Sequence, residues 1–539
     1  MAASWSHYQE DIFAFVKNPF DVRFGVDAYR KNAVVEAVAG SGKSTTAVAA
    51  MAYIPRELNA IFLAFNRAIA EDLKNKGVNA RTFHSLTYGP VTKSRMVNNV
   101  EGNKLRMLLK RELNGDDEFI YGAFCARLCS MAKQVGIGCL AEDVEDEWHK
   151  IIQHHDLELE NEKGNVPRAV EIARQLLMWS NESNMLDFDD LLYLAVKDGI
   201  ALPKFDFVFV DEAQDTNAIQ RAILRKILKP ESRLICIGDP AQAIYGFRGA
   251  DSQSLQLLAD EFDCAKLPLT VSYRCSKAVV AHAHKYVTHI EAAPGAPDGE
   301  VIDLTQTKLS TIIKNTADCL APMTPCSFYD AEKDVTVVTE SDIIGFRPDD
   351  LVVCRTTKPL VELAYRCIRA KVPVRIMGRD IGIGLKALIR KMKANSVDQL
   401  QLMIEDWAMR EVDKAIAKQL EAKAEAVQDK ADCILCMIDS LGEDDPDDQV
   451  EPVRTIDGLL NMIDEMFDEN KQATTLASIH KSKGLEAPRV FWLNSLKCPA
   501  PWAKQEWQQQ QEIHLCYVAV TRAKYTLILI EDGSFKAKR

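Results

Sequence analysis

The stretch Ala37-Val38-Ala39-Gly40-Ser41-Gly42-Lys43-Ser44-Thr45 decides the fold. It follows a β-rich run, Ala33-Val34-Val35-Glu36-Ala37-Val38, and opens a helix. A loop of small residues between strand and helix turns several backbone N–H groups toward one point, where the helix N-terminus adds partial positive charge. Such a loop cradles phosphate. Ala39, Gly40, Ser41, Gly42 and Thr45 form the cradle, Lys43 can reach terminal phosphates, and the Ser44 hydroxyl is placed to ligate Mg²⁺. Ala37 stands where the usual GxxxxGK[ST] pattern has its first glycine. A glycine-rich turn with a merely solvated lysine is the plain alternative, and the strand and helix on its flanks weigh against it.

Further along, Phe209-Val210-Asp211-Glu212-Ala213-Gln214-Asp215 ends a second apolar strand in adjacent carboxylates. Burying such a pair is costly unless a cation or ligand uses it. Asp211 is expected in the Mg²⁺ shell with Ser44, and Glu212 is expected to orient and deprotonate an attacking water. Acidic pairs also cap helices, and it is the phosphate loop that favours catalysis. A third strand end, Ile237-Gly238-Asp239-Pro240-Ala241-Gln242, places the Gln242 amide where it could sense a terminal phosphate, although Gly-Asp-Pro alone is a turn signal.

The remaining chain fits this frame. At 539 residues it has room for about three to four domains. Strands are expected at Ile61–Phe65, Leu234–Ile237, Leu351–Cys354, Val490–Leu493 and Leu527–Ile530, with helical stretches at about 93–183 and 381–470. Short β-runs alternating with helices indicate parallel sheets covered by helices. This predicts an α/β protein of two cores: 1–92 with 184–269, and 270–380 with 471–539, each interrupted by a mostly helical insertion. The Pro/Gly-rich break Glu291–Gly299 and the acidic loop Gly442–Asp448 read as linkers.

The composition, 47% hydrophobic and 27% charged, is that of an ordinary globular protein and excludes a disordered tail or a collagen-like chain. The formal charge of −12 argues against indiscriminate polyanion binding but not against a locally basic groove. Fourteen scattered Cys suggest reduced thiols. With no apolar run of bilayer length and no leader-like start in Met1-Ala2-Ala3-Ser4-Trp5, a cytoplasmic or nucleoid setting is expected, nuclear in a eukaryote. Cys125, Cys129, Cys139, His149, His154 and His155 invite a metal reading, but Cys125 and Cys129 share a helical face and read as buried small hydrophobes. Cys433-Ile434-Leu435-Cys436 lacks the βαβ setting of a redox motif. The basic run Lys386–Lys393 reads as a solvated helix face, with duplex contact as the alternative.

Taken in order, the motifs resemble the UvrD/Rep branch of superfamily-one DNA helicases. Trp5-Ser6-His7-Tyr8-Gln9 looks like the Q motif. Phe65-Asn66-Arg67 and Thr82-Phe83-His84-Ser85 are similar to the first strand-contacting motifs. Asp239-Pro240-Ala241-Gln242-Ala243-Ile244-Tyr245-Gly246-Phe247-Arg248-Gly249-Ala250 resembles motif III, and Ser272-Tyr273-Arg274 resembles motif IV. His480-Lys481-Ser482-Lys483-Gly484-Leu485-Glu486 and Leu515–Lys524 resemble motifs V and VI. The chain departs from the pattern at Phe247, where Trp is usual, at Ser272, where Asn is usual, and at Ala487, where Phe is usual. It is also shorter than typical members, mainly in the second insertion.

The resemblance implies two RecA-like P-loop cores and ATP with Mg²⁺ as cofactors. Gln9 would read adenine, Tyr273 would pack on it, and Glu486, beside Gly484, would contact ribose. Arg274 and Arg522 would act as arginine fingers on hydrolysis. Phe65, Tyr245 and Phe247 would stack on bases, with core packing as the alternative for any one of them. Asn66, Arg67, Thr82, His84, Arg248, His480 and Lys483 complete the strand-contact and coupling set, and a structural role for His84 stays open.

The implied activity is 3′-to-5′ translocation on single-stranded DNA with duplex unwinding, in DNA repair, replication or recombination. The implied partners are single-stranded DNA and its junctions with duplex, and single-strand-binding or recombination proteins, with the chain itself a monomer. Two alternatives are kept: a translocase that clears proteins or recombinase filaments and unwinds weakly, and an ATP-gated DNA-binding scaffold.

Overall fold

The computed structural model describes residues 5–18, 30–97, 99–155, 157, 159, 161, 163–244, 253–303, 305, 327–330, 335–338, 347–369, 374–417, 421–440, 455–467, 473–503 and 505–531. The chain divides into two compact units, Met1–Val271 and Ser272–Arg539.

In the first unit, helix α1 (His7–Lys17) precedes β1 (Asn32–Ala37), α2 (Lys43–Met51), β2 (Ala60–Leu63), α3 (Arg67–Asn75) and β3 (Ala80–Arg81). Six helices follow: α4 (Phe83–Arg95), α5 (Lys104–Glu112), α6 (Gly115–Val135), α7 (Glu145–His154), α8 (Val166–Glu182) and α9 (Phe188–Lys197). The chain then returns through β4 (Phe205–Val210), α10 (Ala218–Ile227), β5 (Leu228–Gly238), α11 (Ser254–Glu261) and β6 (Cys264–Leu269). The strands form one sheet in the order β3-β2-β4-β5-β1-β6, every pairing parallel. Its central strands are nearly continuous apolar runs because both faces are covered. Alternate residues feed two cores: Val34, Ile61, Leu63, Val208 and Val210 pack with the helical insertion. Ala33, Val35, Phe62, Phe207 and Phe209 pack with α1 and α2.

Where the insertion packs on α9 lies a buried ion cluster. Lys104 Nζ meets Asp190 Oδ2 at 2.6 Å, and Lys133 Nζ meets Asp187 Oδ2 at 2.6 Å and Asp190 Oδ1 at 2.7 Å. The same two carboxylates form the capping box of α9, so one pair of acids starts a helix and neutralises two lysines that could not otherwise be buried. Cys125 and Cys129 are buried in α6, as small hydrophobes.

The second unit begins within β7 (Val271–Ser272) and runs through α12 (Lys277–Ala283), β8 (Glu291–Ala292), β9 (Glu300–Asp303), the antiparallel pair β10 (Ser327–Asp330) and β11 (Val335–Val338), then β12 (Leu351–Cys354). Next come α13 (Lys358–Arg369), β13 (Val374–Ile376), and helices α14 (Arg379–Met392), α15 (Val397–Ala417), α16 (Glu421–Ser440) and α17 (Ile456–Met466). It closes with β14 (Thr474–Ser478), β15 (Ala487–Leu493), α18 (Glu506–Val520) and β16 (Ala523–Ile530). The main sheet, β13-β14-β12-β15-β16-β9, is again wholly parallel. A buried Arg489–Asp350 pair ties β15 to the entry of β12.

The α/β class read from the alternating elements is therefore the observed one. Strands β3, β6, β9, β13 and β14 carry too weak a β signal to stand out: β3 has two residues, and β6 contains Lys266 and Pro268. Among the described residues no helix is long and apolar enough to cross a membrane.

Candidate nucleotide-binding site

The phosphate loop is shaped by its glycines. Gly40 (φ 71°) and Gly42 (φ 77°) are left-handed, a conformation that costs an L-residue about 1–2 kcal/mol. The bends carry the chain from β1, where Val38 N donates to Leu269 O, into α2, where Thr46 N donates to Gly42 O. The α2 N-cap has no side-chain hydrogen bond, so the first N–H groups stay available to an anion. The Ser41 Oγ is buried with no hydrogen-bond partner among the described residues.

Ser44, in the first turn of α2, donates from Oγ to Asp211 Oδ2 at 2.9 Å. Asp211 follows β4, and its N–H is held by Leu63 O. Burial and then the neighbouring Glu212 carboxylate push the Asp211 carboxyl up to about 6, against the Ser44 hydrogen bond and the Lys43 charge. Glu212 sits at φ 50°, a strained position for a non-glycine residue, and accepts from Gln214 Nε2. The Gln214 Oε1 in turn accepts from Asp239 N at 3.0 Å, and Gln242 Nε2 donates to Asp239 Oδ2 at 2.7 Å. Asp239 is buried, which raises its carboxyl, with Lys43 as the largest opposing influence. Lys43 therefore faces two buried carboxylates.

These residues fit Mg²⁺ and a phosphate chain. An orphaned hydroxyl and bare helix N–H groups suit phosphate oxygens, and one carboxylate beside one hydroxyl suits a cation that keeps most of its waters. Gln9, expected at the base, is buried in α1 and donates from Nε2 to Thr46 Oγ1 at 2.9 Å, which locks α1 to the helix behind the loop. Gln214 and Thr46 were not singled out from sequence. Gln214 lies within the acidic motif, so its spacing was the available signal; Thr46 carried none.

The expected strand-contact residues occupy two neighbouring helix starts. Phe65 is 48% exposed just beyond β2. Asn66 caps α3, accepting from Ile69 N at 2.9 Å, and Arg67 pairs with Glu71 on the same helix. Thr82 caps α4 in a capping box with Ser85. His84 is half-buried in the first turn of α4, and burial holds its imidazole below the ordinary range. Tyr245, Phe247 and Arg248 lie outside the described residues.

The second unit has its own cluster. Arg274 Nε donates to Glu486 Oε2 at 2.7 Å and its Nη1 to Thr521 O at 3.3 Å. Lys524 Nζ reaches Glu486 Oε1 at 2.7 Å. Although Glu486 is partly buried, the Lys524 hydrogen bond and Arg274 charge hold its carboxyl below the usual range. Arg522, 1% exposed, donates to Val518 O, Leu485 O and Thr521 Oγ1. Tyr273 is exposed beside this cluster, Gly484 is left-handed at φ 90°, and His480 is half-buried just beyond β14. The structure thus joins Arg274, Glu486 and the Arg522 segment, which lie far apart in sequence.

A parallel sheet whose strand runs into a glycine-bent, anion-seeking loop, with a hydroxyl–carboxylate pair beside it, defines a P-loop nucleotide-binding domain. Residues 21–263 match the UvrD/REP helicase N-terminal domain and residues 386–532 the UvrD-like helicase C-terminal domain. The chain belongs to the UvrD-like helicase family. It is 31% identical over 134 residues to the ATP-dependent DNA helicase srs2 of Schizosaccharomyces pombe, covering 24% of this chain and 15% of that protein. It is 20% identical over 434 residues to the ATP-dependent DNA helicase PcrA of Staphylococcus epidermidis, 65% of this chain and 59% of that protein. Against PcrA of Staphylococcus aureus the identity is 20% over 439 residues, 66% and 60%. The matched region thus spans about three fifths of the length of these PcrA relatives.

Proposed function

We propose that the chain is an ATP- and Mg²⁺-dependent DNA helicase that moves 3′-to-5′ on single-stranded DNA and opens duplex at single-/double-strand junctions. The observation that carries this is the Ser44–Asp211 pair at 2.9 Å beside a phosphate loop bent by Gly40 and Gly42, with Glu212 next in the chain. Family membership and the names of the relatives support it. Ser44 and Asp211 would hold Mg²⁺, whose charge neutralises phosphate oxygens. Lys43 binds the terminal phosphate, Glu212 takes the proton of the attacking water, and the Gln214 amide keeps that carboxylate aimed. Gln9 and Tyr273 are assigned to adenine and Glu486 to ribose. Arg274 and Arg522 are assigned to charge on the transferred group, a role worth about 10³ to 10⁵ in rate. Phe65, Asn66, Arg67, Thr82, His84, Tyr245, Phe247, Arg248 and His480 are assigned to the strand.

The test is fluorescence unwinding of 3′-tailed against 5′-tailed duplexes by the full chain, with ATP turnover followed in parallel. Opening of the 3′-tailed duplex alone, lost together with DNA-stimulated turnover in Lys43→Ala, is the expected result. Preference for the 5′ tail overturns the polarity. Turnover indifferent to DNA, or unchanged in Lys43→Ala, overturns the assignment.

A further inference from the structure

A cavity of about 550 Å³ opens in the first unit where the helical insertion meets the sheet-side helices α4 and α10. It is of the size that takes nucleotide-scale ligands. Its floor is apolar, from Met131, Leu192 and Ile219. His84 lines it, and among the described residues the His84 ring has no hydrogen-bond partner. Burial pushes the imidazole pKa down and so favours the neutral ring, which suits stacking on a planar heterocycle.

The walls supply hydrogen-bonding edges. Asn217 and Gln220, at the start of α10, use their side-chain oxygens in a capping box, Asn217 Oδ1 accepting from Gln220 N and Gln220 Oε1 from Asn217 N. Their NH₂ groups have no partner among the described residues and are donors for base carbonyl or ring-nitrogen acceptors. Asp189, also in the lining, accepts at Oδ2 from Ser130 and at Oδ1 from Gln134, and each oxygen keeps a second lone pair for an exocyclic amine. Arg127, also lining the cavity, is exposed and has no acidic partner among the described residues. A free guanidinium beside an apolar floor with amide edges is the chemistry of one nucleotide, with the phosphate outside and the base within.

We infer that this cavity receives a single unstacked nucleotide of the bound strand, its base between His84 and the Leu192 floor and its phosphate on Arg127. This rests on the proposed strand-binding role. It extends the strand path from the α4 start into the helical insertion, where no sequence motif pointed.

The test is an abasic scan. Oligothymidylates carrying one abasic nucleotide at successive positions are titrated against the full chain, with DNA-stimulated ATP turnover measured beside them. Wild type is expected to lose affinity about tenfold at one position from this cavity, within the range for a stacked base. In Leu192→Trp, which fills the cavity, an intact oligonucleotide should bind as weakly as the abasic one does to wild type, with sensitivity at that position gone. Arg127→Ala, at an exposed site, guards against a folding defect. Its slope of log affinity against log salt should flatten by about 0.7, the value for one lost phosphate contact on a single strand. An abasic profile identical in wild type and Leu192→Trp, or an unchanged salt slope in Arg127→Ala, overturns the inference while DNA-stimulated turnover stands. If wild type neither binds the oligonucleotides nor responds to them in turnover, the strand-binding reading falls with it.

Discussion

Asp211 is where the site's chemistry and the protein's stability oppose each other. Its carboxyl is pushed up to about 6 by burial and by Glu212. Between the ordinary carboxylate range and about 6, the folded chain holds a proton that the unfolded chain has released. Stability therefore falls as pH rises through that window, and the cost persists above it. A neutral isostere removes the cost. In Mg²⁺-free buffer Asp211→Asn should melt higher than wild type at pH 8, by the equivalent of about 1–3 kcal/mol, and show a much smaller advantage near pH 4.5. With Mg²⁺ restored at pH 8, the variant's turnover should be lost. Thermal melts at the two pH values decide the matter, and equal melting at pH 8 would remove the ionised, buried carboxylate from the account. The residue scale also shows what motif reading blurs. Asn66 and Thr82, read as strand contacts, have their side-chain oxygens engaged in helix caps. What remains for a strand is the Thr82 hydroxyl proton, the Asn66 amide NH₂ and the second lone pair of each oxygen.

At the scale of elements, the end of β5 and the turn after β4 fit so closely that a side chain between them must displace a neighbour. A Cβ on Gly238 would stand 2.5 Å from Gln214 Oε1 and 3.0 Å from Gln214 N. Gln214 is the link that joins Glu212 to the Asp239 backbone. Gly238→Ala should therefore cost about 1–3 kcal/mol in stability and displace the amide that aims Glu212. Turnover should drop by about 10- to 100-fold while nucleotide binding at the loop persists. Denaturant unfolding combined with nucleotide titration checks this, and turnover near wild type would show that Gln214 has no part in aiming the carboxylate. The elements themselves were unevenly legible. β1, β4 and β12 announce themselves as short apolar runs because both faces of a parallel sheet are buried. β3 and β13 do not, being two and three residues that exist as strands only because a neighbour pairs with them.

At the scale of the whole molecule, two units each carry a parallel sheet and a hydrophobic core of their own, with the helices of each insertion sharing that core. The nucleotide loop belongs to the first. Calorimetry of the nucleotide-free full chain should resolve two unfolding transitions, and Mg²⁺ with ADP should raise most the one belonging to the first unit, which carries the phosphate loop, by mass action on the folded state. A single transition that moves as a whole would contradict separate cores.

Contiguous stretches carried what depends on local backbone chemistry. The small residues and glycines of residues 37–45 dictate a bent loop before a helix because their φ preferences and bare N–H groups are properties of nine neighbouring residues. The Asp211-Glu212 pair and the alternation of strands with helices were readable for the same reason. Tertiary structure decided the rest. Ser44 meets Asp211 across 167 positions, Arg274 meets Glu486 across 212, and a cavity forms where four helices converge. No local preference encodes such meetings. They follow from strand order within each sheet and from which face of each helix the core accepts, and both are settled only when the whole unit packs.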